Sequence, residues 1–200
     1  MLNIYLIRHG QTAWNADNNR YCGRTDIALT EKGVQQAEAL RQQLQKIKWD
    51  GVFSSPLQRA FITAQIATGA TVIKDDRLIE ADFGLWEHKT KSAFIAENAT
   101  LWNNWMKDPA TNRAGGTGET AAEIVERVND FFNSLQQQYT GGNFLVAAHN
   151  GVNRFYLAHK LGMPLRNYRM LLQENSAATM FTLDAEEGFV LRYLNSRLRD

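Results

Sequence analysis

A single cysteine, Cys22, stands in a chain of 200 residues. No intrachain disulfide can form, and a reducing cytoplasm is the expected compartment. Neither charge is in excess: 22 Lys and Arg against 21 Asp and Glu leave a net charge of +1. The chain therefore lacks the basic footprint of a nucleic-acid or anionic-membrane binder. No stretch approaches the roughly 20 apolar residues that span a bilayer. The short apolar run at the N-terminus has neither the basic flank nor the cleavage site of a signal peptide. Internal repeats, low-complexity tracts and linker-like breaks in composition are also missing. These absences leave a soluble globular protein, read as one domain over residues 1–200 and long enough to bury a sizeable core without disulfide or metal.

What is there alternates. "LNIYLI" (residues 2–7), "GVFSS" (51–55), "TVIKD" (71–75) and "NFLVAAH" (143–149) are short apolar runs of the kind found in strands buried on both faces. Between them lie helical patterns. One begins at Thr30, a side chain suited to N-capping, and carries Val34, Ala37, Leu40, Leu44 and Ile47 at helical spacing. A second runs from Pro56 to Gly69, with proline at the start and glycine at the end. A third covers Glu119 to about Gln138, and a fourth Gly151 to Leu161. "AATMFTLD" and "GFVLRYLN", joined by "AEEG", read as a terminal hairpin. The order predicts an α/β fold: a three-layer sandwich, with a mostly parallel central sheet and helices on both faces. Residues from about 84 to 118 are less regular and read as a cap-like insertion over the sheet.

In such sheets ligands bind beyond the carboxyl ends of the strands. The first strand ends in Arg8, His9 and Gly10, with Asn15 close behind. "GVFSS" leads into a helix carrying Arg59. "NFLVAAH" ends in His149, followed by Asn150 and Gly151, and Glu80 follows the third strand. Each residue alone has an ordinary explanation: Asn15 as a turn cap, Arg59 as a surface charge, Glu80 as a solvated carboxylate. Their joint placement at strand ends is harder to dismiss, because burying that many polar groups without a ligand is costly. The set suits a phosphate monoester. Arginine forks pair with phosphate oxygens, asparagine and backbone N–H groups donate to the remaining oxygen, and Gly10 removes an obstructing side chain. A histidine nitrogen can attack phosphorus, and a protonated Glu80 can supply the leaving oxygen with its proton.

The segments "LIRHGQTAWN", "GRTDIALTEKGVQQA", "SSPLQRAFITAQI", "RLIEADFGLWE", "GGTGETAAEIVERV" and "VAAHNGV" resemble, in order, those of the histidine phosphatase superfamily, the phosphoglycerate mutase-like group, with the look of its α-ribazole and broad-specificity phosphatase branch. The resemblance covers residues 4 to about 152. It implies a phosphatase acting on small phosphate esters through a phosphohistidine, with no metal or other cofactor. It assigns His9 as the nucleophile, Arg8 and Arg59 to the phosphate pocket, and His149 to the charge of the transferring group. Asn15 becomes a phosphate ligand, Glu80 the acid and then the base, and Gly23 and Asn150 part of the pocket backbone. Asn150 stands where many relatives have glycine, and Cys22 where several mutases have a hydroxyl residue.

Three other readings compete. A cofactor-dependent phosphoglycerate mutase would need paired arginines in the insertion, and residues 84–118 hold only Arg113. A phospho-ligand-binding module without activity would have lost His9 or Glu80. A metal site built from His9, His149 and Glu80 is an acceptable zinc set, but Arg8 and Arg59 would repel the ion. Asp82 is the next candidate for the acid. Phe83, Trp86, Phe94, Trp102, Trp105 and Met106 are expected chiefly to dock the insertion, with one or two facing the pocket. His88 and His159 fall outside the motifs.

Overall fold

The apolar runs become a six-stranded sheet in the computed structural model, which describes residues 1–197. In chain order the elements are β1 (Leu2–Arg8), α1 (Ala13–Ala16), α2 (Glu31–Leu44), β2 (Gly51–Ser54), α3 (Gln58–Thr68), β3 (Ile73–Lys74), α4 (Lys91–Glu97), α5 (Ala99–Lys107), α6 (Ala121–Gln138), β4 (Gly142–Ala148), α7 (Asn150–Lys160), β5 (Ala178–Asp184) and β6 (Gly188–Ser196). The strand order is β3-β2-β4-β1-β5-β6. The first four of these pair in parallel. The terminal hairpin adds two strands, with β5 antiparallel to β1. Among the described residues no helix is long and apolar enough to cross a membrane.

Alternation along the strands divides the core. Ile4, Leu6, Phe144 and Val146 face α6 and α7, burying Ile124, Val128, Phe131, Phe132 and Phe155. Ile7, Val52, Leu145 and Ala147 face the opposite way, onto Leu40 and Leu44 of α2 and the alanine stripe Ala60, Ala64 and Ala67 of α3. Both faces are therefore covered, as the uninterrupted apolar runs require of a parallel sheet. The cap expected at Thr30 forms, and α6 carries one not expected from the sequence. Thr30 accepts from the Gly33 N–H at 3.1 Å, and Thr120 with Glu123 forms a capping box on α6. α3 ends at Gly69, whose φ of 66° closes the helix. Its start has no local cap, and Asp26 accepts from the Gln58 N–H instead, at 2.8 Å.

The expected strand at "TVIKD" is shorter than its pattern. Only Ile73 and Lys74 pair, at the sheet edge, with Ile73 exposed. Asp75 turns its carboxylate onto the Arg77 N–H at 2.9 Å and opens a 3-10 turn. That local bond ends the strand and redirects the chain toward Glu80. The segment 84–118 holds α4 and α5, and its aromatics are core. Trp86 stacks on Phe94 at 4.8 Å, and Trp105 meets Phe155 edge-on at 5.8 Å. Each buried ring contributes on the order of 2 kcal/mol.

Candidate active site

Register places the two histidines. β1 and β4 run in parallel, with Arg8 opposite Ala148. The His9 N–H continues the ladder to the Ala148 carbonyl at 3.1 Å. His9 and His149 therefore leave adjacent strands at the same edge, with ring centroids 5.2 Å apart. Gly10 serves the fold rather than a ligand, contrary to the expectation from sequence. A Cβ there would lie 2.4 Å from the Gly33 carbonyl oxygen at the start of α2. Its N–H donates to Thr63 Oγ1 at 3.0 Å.

His9 is almost fully buried and lines a cleft of about 810 Å³, mouth included. Its Nδ1 lies 2.7 Å from the Gly10 carbonyl oxygen. A carbonyl only accepts, so Nδ1 carries the proton and Nε2 keeps its lone pair. Burial, and then the charges of Arg59 and Arg8, hold the ring well below the ordinary histidine range, so it is neutral. His149 is N-terminal cap to α7 and fully buried, with no protein partner for either ring nitrogen. Burial, then Arg59 and His9, push its pKa down as well.

The two arginines are buried without a carboxylate partner among the described residues. Arg8 donates from Nη1 to the Gln173 carbonyl at 2.8 Å. Burial draws its pKa down to about 10, against the opposing pull of Glu80. Arg59 donates to the carbonyls of Thr25 and Gly23, each at 2.7 Å. Both arginines leave Nε buried without an acceptor. Gly23, expected in the pocket backbone, anchors Arg59 through its carbonyl; like Arg59 and His149 it lies behind the residues that line the cleft. Its φ of 50° and its contact with Glu87, 1.8 Å from where a Cβ would sit, require glycine.

Glu80 sits against the start of α7. Oε1 accepts from the Ala81 and Val152 N–H groups at 2.9 and 3.2 Å, and Oε2 from the Gly151 N–H at 3.2 Å. Oε1 has spent both lone pairs, whereas Oε2 retains one for a proton. Asp82 is turned away and accepts from the Gly84 N–H at 2.8 Å. Asn15 lines the cleft while also closing a capping box with Thr12. Asn150 lines it too, with a buried Oδ1 that has no partner. Of the aromatics expected around the insertion, Phe83 reaches the cleft, whereas Trp86, Phe94, Trp102 and Trp105 are core. His88 stacks edge-on against Trp14, and His159 is exposed.

Two groups of site residues escaped the sequence reading. The loop before β5 holds the end of β1: Asn175 donates to the His9 carbonyl at 2.9 Å, and the Ser176 N–H to the Arg8 carbonyl at 3.0 Å. Nothing local announces these contacts across more than 160 positions. The second group lines the outer cleft: Arg154, Arg169, Lys91, Tyr21 and Tyr168. Arg154 was within reach of inference, since it lies four residues beyond Asn150 and so shares its face of α7.

A neutral histidine with a fixed tautomer, buried cations and one carboxylate on backbone N–H groups suit an anionic ligand. Among the described residues no three His, Cys, Asp or Glu side chains are grouped as metal ligands. Residues 4–196 match the histidine phosphatase superfamily (branch 1). The chain is 28% identical over 195 residues to phosphoserine phosphatase 1 of Hydrogenobacter thermophilus, covering 96% of this chain and 92% of that one. It is 32% identical to the probable phosphoglycerate mutase GpmB of Erwinia tasmaniensis, covering 88% and 82%. The crystal structure of a putative alpha-ribazole-5'-P phosphatase from Escherichia coli superposes with a TM-score of 0.86 at 29% identity, covering 100% and 98%.

Proposed function

The chain belongs to the histidine phosphatase superfamily, and on that footing we propose that it hydrolyses small phosphate monoesters through a phosphohistidine at His9. The observation that carries the proposal is the Nδ1 contact of His9 to the Gly10 carbonyl, which leaves Nε2 as an unprotonated nucleophile on the cleft wall beside Arg8. Nε2 attacks phosphorus and the ester P–O bond breaks. The leaving oxygen takes a proton from Glu80 Oε2, the carboxyl oxygen with a free lone pair. Water then enters, gives its proton back to Glu80 and attacks phosphorus. The P–N bond breaks, and inorganic phosphate departs from a neutral His9.

Arg8 and Arg59 supply the charge for the transferring group, the office a metal would otherwise fill, and the neutral His149 supplies a ring N–H. Arg59 acts from behind the wall: its two Nη atoms hold the 23–25 loop, which leaves the charge and Nε–H for the phosphoryl group. The one ring N–H of the neutral His149, unpartnered in the fold, finds an acceptor once phosphoryl oxygens arrive. Asn15 and Asn150 line the same floor as donors. A mutase would use the same pocket. Arg113, the one arginine of the insertion, is committed to Glu123 and to the Gly118 carbonyl.

The experiment is to incubate the protein with 3-phosphoglycerate and a trace of 2,3-bisphosphoglycerate, and separately with nitrophenyl phosphate. Release of inorganic phosphate without build-up of 2-phosphoglycerate supports the hydrolase. Interconversion of the phosphoglycerates without phosphate release overturns it in favour of the mutase. No reaction with any ester leaves a binding module.

A further inference from the structure

The cleft continues outward from the phosphate floor. Its outer wall carries Arg154 on α7, Arg169 in the turn that follows, and Lys91 at the start of α4. None of the three has an ion-pair partner among the described residues, whereas Arg20 at the same mouth is paired with Asp17. Among the described residues the only carboxylate on the wall is Glu80, which already accepts three backbone N–H groups.

These cations are braced rather than loose. Arg169 donates to Tyr21 Oη at 3.3 Å, and its guanidinium lies 5.5 Å from the Trp102 ring and 5.9 Å from that of Tyr168. Lys91 lies 4.8 Å from the same Trp102 ring. Arg154 is half-buried, and its Nε is enclosed without an acceptor. Arg169 lines the same wall, and burial, then the charge of Arg169, draw the Arg154 pKa down. Two guanidiniums on one cleft wall, neither with a carboxylate partner among the described residues, favour an anion there. Tyr21 Oη accepts from Arg169, which frees its O–H to donate to that anion. The phosphoryl group is met by Arg8, Arg59 and His149, so the outer cations are left for a charge on the rest of the substrate.

We infer that Arg154, Arg169 and Lys91 form a second anion subsite, which selects phosphate monoesters whose leaving group carries a carboxylate. The subsite rests on the phosphatase reading above and narrows its substrate class. A planar carboxylate matches the guanidinium fork with two parallel bonds. The cations reach the cleft mainly from α7 and the turn after it, not from an arginine pair in the insertion.

The test uses matched esters that differ in the carboxylate: phosphoserine against phosphoethanolamine, and 3-phosphoglycerate against glycerol 3-phosphate. A propanediol bisphosphate serves as the second-phosphate arm, and nitrophenyl phosphate as the general reporter. The expected result is a kcat/KM at least tenfold higher for the carboxylated member of each pair. Arg154→Met and the exposed Arg169→Met should each cut that ratio about tenfold, through KM, the effect of one charge-assisted bond. Arg169→Lys should restore part of it. Because the ratio is read within each variant, a general loss of activity or folding cancels. Equal kcat/KM within each pair, turnover of neither member, or a ratio that survives in both methionine variants overturns the subsite while leaving the phosphatase reading intact. A bisphosphate that outperforms both carboxylated esters overturns the carboxylate assignment. Absence of phosphate release even from nitrophenyl phosphate overturns the phosphatase reading, and the subsite with it.

Discussion

Acidification should destabilise this protein through two buried histidines. His9 and His149 are buried and neutral in the fold, each held well below the ordinary histidine value by burial first and by neighbouring charge second. In the unfolded chain each regains a pKa of about 6.5. Above that value neither state binds a proton and the pair contributes no pH dependence. As pH falls through about 6.5, the unfolded chain takes up protons that the fold refuses, so stability declines with decreasing pH. The folded-state values enter only as lying below the window. Each group then loses RT ln(1 + 10^(6.5 − pH)), which is about 1.4 kcal/mol at pH 5.5 and under about 0.1 kcal/mol at pH 7.5. Together they remove about 2.7 kcal/mol, a large share of the ~5–15 kcal/mol that holds a domain folded. Asp75, Glu123 and Asp184 have lowered pKa values, so their contributions are lost only at still lower pH. His159 is exposed and contributes little. The assay is urea unfolding at pH 7.5, 6.5 and 5.5 in buffers free of phosphate. His9→Asn and His149→Asn should each halve the fall, and asparagine suits the N-cap position of His149. A stability that changes by less than about 0.5 kcal/mol across the window, or a slope untouched by either variant, would refute the reasoning.

Two further outcomes follow from the cleft. Glu80→Gln should slow the phosphorylation step about a hundredfold or more for an alkyl phosphate and far less for nitrophenyl phosphate, whose leaving group departs without a proton. Single-turnover kinetics read this step alone, and equal losses would remove Glu80 from the acid role. On the proposed mechanism Arg59→Lys should lower kcat about a hundredfold, because one ammonium cannot reproduce a fork that spans both the Thr25 and Gly23 carbonyls. An unchanged kcat would reduce Arg59 to an anchor for that loop.

The sheet was legible because its determinants are local. β1 and β4 are uninterrupted apolar runs, Thr30 announces a helix start, and the hairpin at residues 178–196 is marked by its turn. Parallel pairing of β1 with β4 then brings His9 to His149 without further information. The legible part ended where a side chain works across the chain. Gln173 and Asn175 hold Arg8 and the His9 backbone from a loop with no distinctive composition. Gly10 is required by a helix more than 20 residues later. Arg154 and Arg169 look in sequence like the polar face of an amphipathic helix and an ordinary turn. Only the fold turns both toward one cleft.

The claim on which the rest depends is a covalent bond between phosphorus and His9 Nε2. A radiolabelled phosphate ester, mixed with the enzyme and quenched in alkali during the first turnover, should leave label that survives base, is lost in acid and maps to the peptide carrying His9. His9→Asn should carry none and should not turn over. Phosphate release at the normal rate from His9→Asn, or label on any other residue of the wild-type enzyme, would contradict the account.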